Sequence, residues 1–216
     1  MPLDPAVNSG ATGPYALLLA AGSGSRFGGD KLLATFRGKP LAAHPAMTLA
    51  QVISAGILAG GVAVVPSGDT RLTWLFDTAG LRVIDNPEAA SGMASSLRHG
   101  LAALAQPEIQ PRAGAALIVL ADQPMLSGAV IASLVQFWQR EGRSVRPRYA
   151  RGARAPGHPV LLDRSLWPLV DGLSGDQGFG PELRQVPNAM TVIDMPGDNP
   201  DVDTPDDLRQ LEDPVG

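Results

Sequence analysis

The sequence predicts an α/β protein with a three-layer, Rossmann-like architecture, in which helices cover both faces of a mostly parallel sheet. Short apolar runs of strand length alternate with stretches of helical hydrophobic spacing, and short polar loops join them. The first apolar run, residues 15–20, continues directly into a glycine-rich turn. Such turns are typical of the edge where the strands of an open α/β sheet end and where ligands bind.

The elements are expected in a regular order along the chain. Predicted strands cover residues 15–20, 60–66, 81–85, 115–121, 159–162 and 190–195, with a weaker strand pattern at 144–154. Predicted helices cover 41–54, 69–79, 92–104, 127–138, a short stretch from 163, the end of 175–186, and 205–211, while 32–38 is predicted to be extended. No repeat or boundary interrupts this order, so we expect one domain over residues 15–212 after a flexible polar tail, residues 1–14.

Composition limits the function classes. Hydrophobic residues make up 44% of the 216 residues, enough for a sizeable core, and the net charge of −4 argues against recruitment of nucleic acid or an acidic membrane. Without cysteine the chain has no disulfide, no thiolate metal site and no cysteine nucleophile. It also lacks an apolar run of about 18 residues and a signal-peptide pattern, so we expect a cytoplasmic protein without a transmembrane helix.

The glycine-rich turn is the main candidate for an anion site. Residues 15–31 read YALLLAAGSGSRFGGDK, with two cations, Arg26 and Lys31, beside the glycines. Backbone N–H groups in such a nest, together with cationic side chains, suit a polyphosphate. No G-K-[ST] follows as in a Walker loop, and Phe27 stands where a dinucleotide fingerprint needs its third glycine.

Two acidic positions are candidate metal ligands. Asp122 directly follows a very apolar strand, where a lone carboxylate is costly unless it is solvated or paired, and Mg²⁺ is a suitable partner. Asp203 precedes Thr204 and Pro205, which together form a good helix start. For both aspartates, simple capping of the following helix is the alternative.

Three stretches resemble the MobA-like nucleotidyltransferases. Residues 19–31 resemble the signature L-A-A-G-x-G-x-R-x-G-x-x-K, and 122–124 resemble the end of G-D-Q-P, with Ala121 replacing the glycine. Residues 201–208 are similar to D-x-D-T-P-x-D-L. The resemblance spans roughly residues 15–211 and implies a fold of the nucleotide-diphospho-sugar transferase type, with Asp122 and Asp203 on one metal ion.

Further segments are similar to the parts of that family that contact the base and the acceptor. Residues 86–97 resemble a segment ending in G-M-[SA]-x-S-[LI], which implicates Gly92 in acceptor binding and Ser95 in nucleotide binding; capping by Ser91 is the alternative. Residues 157–160 resemble G-[HN]-P-V and 175–178 resemble G-D-x-G, which implicates His158 and Asp176 in acceptor binding. His158 alternatively only orders a turn. Phe179-Gly180 replaces the family's A-R, and Arg184 is the expected compensating cation.

The resemblance implies transfer of a nucleoside monophosphate to a phosphate acceptor, with release of pyrophosphate. Within the family the chain looks like the molybdenum cofactor cytidylyltransferase branch, because Ala21 stands where the guanylyltransferase branch usually has a glycine. This implies CTP, molybdenum-loaded molybdopterin and Mg²⁺, with Mn²⁺ as an alternative, and a molybdoenzyme as recipient. The expected nucleotide contacts are Ala20, Ala21, Gly22, Ser23, Gly24, Arg26 and Lys31. Of these, Arg26 and Lys31 would act with Asp122 in catalysis.

Three other functions stay open at this point. A sugar- or alditol-phosphate nucleotidyltransferase would share the motifs, as would a non-catalytic nucleotide-binding chaperone that hands a cofactor to a molybdoenzyme. An oxidoreductase reading of Gly22-Ser23-Gly24 lacks both the third glycine and a clear acidic residue at the end of the next strand.

Overall fold

The computed structural model describes residues 13–22, 27–106, 113–151 and 156–212. Most of the predicted tail and the loop residues Ser23, Gly24 and Arg26 lie outside the described residues. The described strands are β1 (Gly13–Leu19), β2 (Thr35–Phe36), β3 (Lys39–Pro40), β4 (Gly61–Pro66), β5 (Arg82–Asn86), β6 (Ala113–Leu120), β7 (Ser144–Tyr149), β8 (Val160–Asp163) and β9 (Met190–Met195). The α-helices are α1 (Ala43–Ser54), α2 (Thr70–Thr78), α3 (Met93–Ala105), α4 (Gly128–Glu141), α5 (Gly180–Leu183) and α6 (Pro205–Glu212). Three 3₁₀ helices cover Lys31–Leu33, Ala89–Ser91 and Arg164–Gly172.

Seven of these strands form one sheet in the order β5-β4-β1-β6-β8-β7-β9. The pairs β1–β4, β1–β6, β4–β5 and β7–β9 are parallel, and β8 is antiparallel to both of its neighbours, β6 and β7. The prediction of a mostly parallel α/β sheet is confirmed. The position of β8, inserted between β6 and β7, does not follow from the hydrophobic pattern.

Helices cover both faces of the sheet, and the alternation of side chains along the central strands explains why. Ala16 and Leu18 of β1 belong to the core cluster shared with α1, α2 and α4, whereas Leu17 and Leu19 belong to the cluster shared with α3 and the 3₁₀ helix Arg164–Gly172. A strand that is covered on both faces must be apolar at every position. This is why β1, β4 and β6 read as continuous apolar runs.

The direction of the strands brings the candidate binding segments to one edge of the sheet. Because β1, β4, β5, β6, β7 and β9 all point the same way, their carboxyl ends meet at one edge, and the antiparallel β8 begins there. The segments that leave or enter the sheet at this edge are therefore neighbours. They are the glycine turn after β1, Asn86 at the end of β5, Asp122 after β6, the turn before β8 and the segment 197–203 after β9.

Local structure departs from expectation at two places. Residues 31–33 form a 3₁₀ turn rather than extended chain, because β2 and β3 form a hairpin that turns the chain back towards α1. The helix predicted from residue 127 begins at Gly128, and Ser127 is its N-cap residue without a capping hydrogen bond from the side chain. Among the described helices, none is both long and apolar enough to cross a membrane.

Candidate active site

Lys31 brings the two predicted metal ligands together. Its Nζ donates to Asp122 Oδ2 at 2.7 Å and lies 3.5 Å from Asp203 Oδ1. The three residues are separated by 91 and 172 positions in the sequence, so only the fold unites them. The Lys31 side chain is only 11% exposed, which strengthens its charge interactions relative to those of a surface ion pair. One ammonium thus lies against two carboxylates at the carboxyl edge of the sheet.

Backbone hydrogen bonds hold these aspartates in place. Val202 N donates to Asp122 O at 3.0 Å, which ties the segment before α6 to the end of β6. The Asp207 carboxylate accepts from the backbone N–H groups of Asp203 at 3.0 Å and Thr204 at 2.7 Å, and Asp207 N lies 3.2 Å from Thr204 Oγ1. This reciprocal pair is a capping box. Thr204 is therefore the cap of α6, and the Asp203 carboxylate is directed to Lys31 instead.

Asp122 has an oxygen that suits a metal ion. Asp122 Oδ1 is buried and has no hydrogen-bond partner among the described residues. A buried carboxylate oxygen without a partner costs free energy. A hard metal ion is a suitable partner, and it must come from outside the chain. The described residues contain no cluster of three or more His, Cys, Asp or Glu with metal-binding geometry. The pair Asp122 and Asp203 instead fits Mg²⁺, which takes one or two carboxylates and completes its shell with water and substrate phosphate.

A cavity of about 280 Å³ opens beside this cluster. Its wall combines the end of β1 with the predicted acceptor segments, and six predicted site residues line it with Asp122: Ala20, Ala21, Gly22, Lys31, Gly92 and Asp176. Ala89, Ala90 and Ser91 of the loop before α3, with Met93 and Ser96 of α3 itself, line the opposite side. The structure therefore brings the end of β1 and the predicted acceptor segments together at one cleft.

Gly92 fixes the shape of this cleft. Its φ of 99° is one that side-chain-bearing residues rarely adopt, and a Cβ there would collide with the backbone of Gly175 and lie 2.8 Å from Asp176 N. Ala94 N also donates to Gly175 O at 3.0 Å. The two segments therefore touch backbone to backbone. This contact sets the position of Asp176.

The predicted nucleotide contact Ser95 does not reach the cavity. Ser95 is fully buried, and its hydroxyl lies 2.8 Å from Gly92 O and 2.9 Å from Glu88 O. Its neighbour Ser96 lines the cavity instead. Both hydroxyls accept from Asn86 Nδ2, at 2.9 and 3.0 Å. Ser95 thus shapes the loop from inside.

Asn86 is a site residue that the sequence reading missed. It is buried, and its Oδ1 accepts from Glu88 N at 2.9 Å while its amide group holds both serines of α3. It therefore ties the loop 87–92 to the first turn of α3. The available signal was its position as a polar residue at the end of a predicted strand, at the edge where ligands bind.

The far end of the glycine turn is anchored to α2. Arg71 donates to both carboxylate oxygens of Asp30, at 2.6 and 2.9 Å, and this hydrogen bonding and charge hold the pKa of Asp30 below its usual value. Gly28 has φ of 82° with nothing near a would-be Cβ, so glycine is needed there for its conformation rather than for space.

His158 lies at a second, adjacent cavity rather than at the first. This cavity has a volume of about 290 Å³ and shares Met93 with the first cavity. The His158 carbonyl accepts from Tyr149 Oη at 3.0 Å and Asn199 Nδ2 at 3.3 Å. Burial, with a smaller effect from the charge of Arg146, lowers the pKa of His158 to about 4, so the imidazole is neutral at pH 7.

This depressed pKa predicts a pH-dependent stability. The unfolded chain protonates His158 near pH 6.5, whereas the folded protein resists protonation until about pH 4. The free energy of unfolding should therefore fall as the pH drops between these values, by about 1–3 kcal/mol from this residue. Urea unfolding at pH 7 and pH 4.5 should show a smaller loss for His158→Gln than for the native protein. His99→Gln is the matched control, and between pH 7 and pH 4.5 it should lose as much stability as the native protein does. An equal loss in all three proteins would contradict the prediction.

A network of amides links the two cavities. Gln123 Nε2 donates to Asp201 Oδ1 at 2.7 Å, and Asn199 Nδ2 donates to Gln123 Oε1 at 3.0 Å. Desolvation, followed by the nearby charge of Asp122, raises the pKa of Asp201. The network joins the residue after Asp122 to the carbonyl of His158 through Asn199. Sequence reasoning missed Asn199, whose partners lie far away in the chain.

Some expected side chains take no part in the cleft. Arg184, the expected substitute for the family's basic residue, is exposed and lines neither cavity. His44 Nε2 and His99 Nδ1 lie 2.8 and 3.0 Å from the backbone carbonyls of Phe36 and Ser95, in agreement with structural roles.

Comparison with known proteins gives a consistent result. The MobA-like NTP transferase domain family matches residues 16–203. Rv0371c from Mycobacterium tuberculosis H37Rv is 25% identical, with 94% of this chain and 98% of that chain covered and a TM-score of 0.74. Its manganese complex aligns at 23% identity, 94% and 100% coverage and a TM-score of 0.73. No curated protein matches significantly.

A more distant structure shares the fold alone. CMP:2-keto-3-deoxy-manno-octonic acid synthetase, solved with CTP, is 15% identical, with 93% and 97% coverage and a TM-score of 0.72. The matched residues include nearly all of the described sheet, together with Lys31, Asp122 and Asp203. The chain therefore belongs to the MobA-like NTP transferase domain family and is a nucleotidyltransferase.

Proposed function

We propose that the protein transfers CMP from CTP to the terminal phosphate of molybdenum-loaded molybdopterin and releases pyrophosphate. The observation that carries this proposal is the convergence of Lys31, Asp122 and Asp203, of which Lys31 and Asp122 line a cavity together with Gly22 of the glycine turn. A triphosphate needs positive charge on its phosphates. Here the Lys31 ammonium can move from the carboxylates to the phosphates, and the two aspartates can bind a metal ion.

The nucleotide would lie along the end of β1. The N–H groups of the glycine turn and Lys31 would hold the phosphates, and the base would enter the cavity between Ala21 and the loop 89–92. Arg26 keeps its expected role in neutralising the leaving pyrophosphate.

The base preference rests on Ala21. Its methyl group lines the cavity, and Ala21 is only 7% exposed, so it leaves less room than a glycine would. A pyrimidine is smaller than a purine, which favours CTP over GTP. The synthetase of the same fold that was solved with CTP is consistent with this choice.

In the proposed reaction, an oxygen of the acceptor phosphate attacks the α-phosphorus in line. A new P–O bond forms, the bond from the α-phosphorus to the bridging oxygen breaks, and pyrophosphate leaves with its electron pair. The protein needs no covalent nucleophile, because positioning and charge neutralisation provide the catalysis. Lys31 would neutralise the triphosphate. The Gly92–Gly175 contact would hold Asp176 at the acceptor side.

Mg²⁺ held by Asp122 and Asp203 would reduce the repulsion between the two reacting phosphates. The unpartnered Asp122 Oδ1 fits this role. The manganese complex of the mycobacterial relative makes Mn²⁺ an alternative ion to test.

A pyrophosphate-release screen tests the proposal. CTP, GTP and ATP are each combined with Mg²⁺ or Mn²⁺ and with molybdopterin, molybdenum-loaded molybdopterin or a panel of sugar and alditol phosphates. The expected result is turnover with CTP and the molybdenum-loaded acceptor. Turnover only with a sugar phosphate would replace the acceptor, a preference for GTP would overturn the base assignment, and binding of CTP without turnover would indicate a nucleotide-binding chaperone.

Lys31 gives a direct prediction for nucleotide affinity. Lys31→Met keeps the length of the side chain but removes its charge, so the Kd for CTP should rise about 10- to 100-fold, the value of a charge-assisted hydrogen bond. Isothermal titration in Mg²⁺ measures this. Lys39→Met is the matched control, because Lys39 is the other lysine of the chain and lies outside the cavity. An unchanged Kd in Lys31→Met would remove Lys31 from the nucleotide site.

A further inference from the structure

The second cavity, next to the nucleotide side, has a distinct chemistry. Its wall is largely apolar, with Leu97, Ile118 and the ring of Phe179, and its polar members include Arg146 and His158. Met93 lines both cavities, so a molecule in one would meet a molecule in the other across this side chain. At about 290 Å³ it has room for a flat bicyclic ring system.

Arg146 is the unusual residue of this wall. It projects from β7 and is partly buried; its Nε donates to Gly157 O at 3.2 Å and its Nη2 to Pro156 O. Within the described ranges no carboxylate forms an ion pair with it, and its Nη1 has no hydrogen-bond partner. Arg148, two positions along the same strand, is instead paired with Asp194 at 2.7 and 3.1 Å.

A positive charge held in this way is available to a ligand. Burial lowers the pKa of Arg146, yet a guanidinium stays charged at neutral pH. Two carbonyls fix its orientation without neutralising it, so little further ordering is needed on binding. His158 beside it is neutral at pH 7, and it can form hydrogen bonds without adding charge.

We propose that this cavity binds the body of the phosphate acceptor and that Arg146 pairs there with a second anionic group, remote from the reacting phosphate. The inference rests on the proposed function only in calling the bound molecule the acceptor. The ligand class is a flat bicyclic ring system that carries an anion such as a carboxylate. Phe179 and Leu97 contact the ring, and Arg146 selects for the charge.

A binding experiment tests this without turnover. The probes are pterin-6-carboxylate and uncharged pterin, followed by their own fluorescence with the protein alone and again with CTP and Mg²⁺ added. The native protein should bind the carboxylate at least about 10-fold more tightly than pterin. Arg146→Met should abolish the difference, Arg146→Lys should restore part of it, and the matched control Arg148→Met should keep it. Equal affinity of the native protein for the two probes, or an unchanged preference in Arg146→Met, would overturn the inference.

A kinetic experiment separates this inference from the proposed function. With whichever acceptor gives turnover, Arg146→Met should raise the acceptor KM about 10-fold, while kcat and the Kd for CTP stay within about 2-fold of native. A parallel rise in the Kd for CTP would instead assign the cavity to the nucleotide. If molybdopterin fails as acceptor but the carboxylate preference holds, the proposed function is wrong and this site stands.

Discussion

Asp122→Asn is expected to lower kcat/KM by about 10³-fold while leaving the protein folded. Asparagine has the same shape but no charge, so it forms no ion pair with the Lys31 ammonium and offers a metal ion a neutral amide oxygen in place of a carboxylate oxygen. The backbone hydrogen bond from Val202 N to Asp122 O does not involve the side chain, so the segment before α6 should keep its place. The measurements are steady-state pyrophosphate release over a range of Mg²⁺ concentrations and thermal unfolding.

Asp201→Asn is the matched control for this variant. The Asp201 carboxylate accepts a hydrogen bond from Gln123 at 2.7 Å, and an asparagine oxygen can accept the same bond. Because desolvation and Asp122 already raise the pKa of Asp201, loss of its charge should be tolerated, with kcat/KM within about 3-fold of native. If Asp122→Asn kept more than about a tenth of native activity, or if the control fell equally far, the assignment of Asp122 would be wrong.

Gly92→Ala is expected to destabilise the protein by about 2–4 kcal/mol and to remove activity. Alanine would have to adopt φ of 99°, and its Cβ would collide with Gly175 and approach Asp176 N to 2.8 Å. Backbone atoms cannot rotate out of the way as the end of a side chain can, so the two segments must separate. The midpoint of urea unfolding, at unchanged m-value, measures the loss.

Two other glycines in the neighbouring segment separate the causes. Gly175 has φ of 57° but open space at its Cβ position, so Gly175→Ala should show backbone strain alone, about 1 kcal/mol. Gly178 has no positive φ and only the flexible end of Met93 at 3.4 Å, so Gly178→Ala should be nearly neutral for stability. Equal losses in all three variants would show that the close contact at Gly92 is not what matters.

Much of the fold was predictable because its signals are local. The apolar runs of β1, β4 and β6 follow from burial on both faces, and helix starts were predicted near Asp69 and at Thr204 or Asp203, where Asp69 and Thr204 are the caps. The position of β8 was not visible, since nothing in three apolar residues and one aspartate encodes which strands will be its neighbours. The mostly parallel sheet was therefore predictable, but its strand order was not.

The candidate site was likewise predictable from the sequence only in part. The glycine turn, Asp122 and Asp203 carried motifs, whereas the choice between Ser95 and Ser96 depends on the rotation of α3, which a sequence fixes only to within about one residue. Arg146 lies in a strand with three other polar or aromatic residues. Only the three-dimensional arrangement shows that Arg148 is paired with Asp194, whereas Arg146 has no carboxylate partner among the described residues. Asn199 and Gln123 likewise meet across 76 positions.

The position of Lys31 has a consequence for how the protein folds before it binds any ligand. Two acids that wait for an external ion would repel each other throughout folding and would oppose assembly of this edge of the sheet. Here the chain carries its own counter-ion, 2.7 Å from one acid and 3.5 Å from the other. This edge of the sheet can therefore fold without a metal ion to offset the two carboxylates, and under the proposed function the Lys31 ammonium would turn to the substrate phosphates.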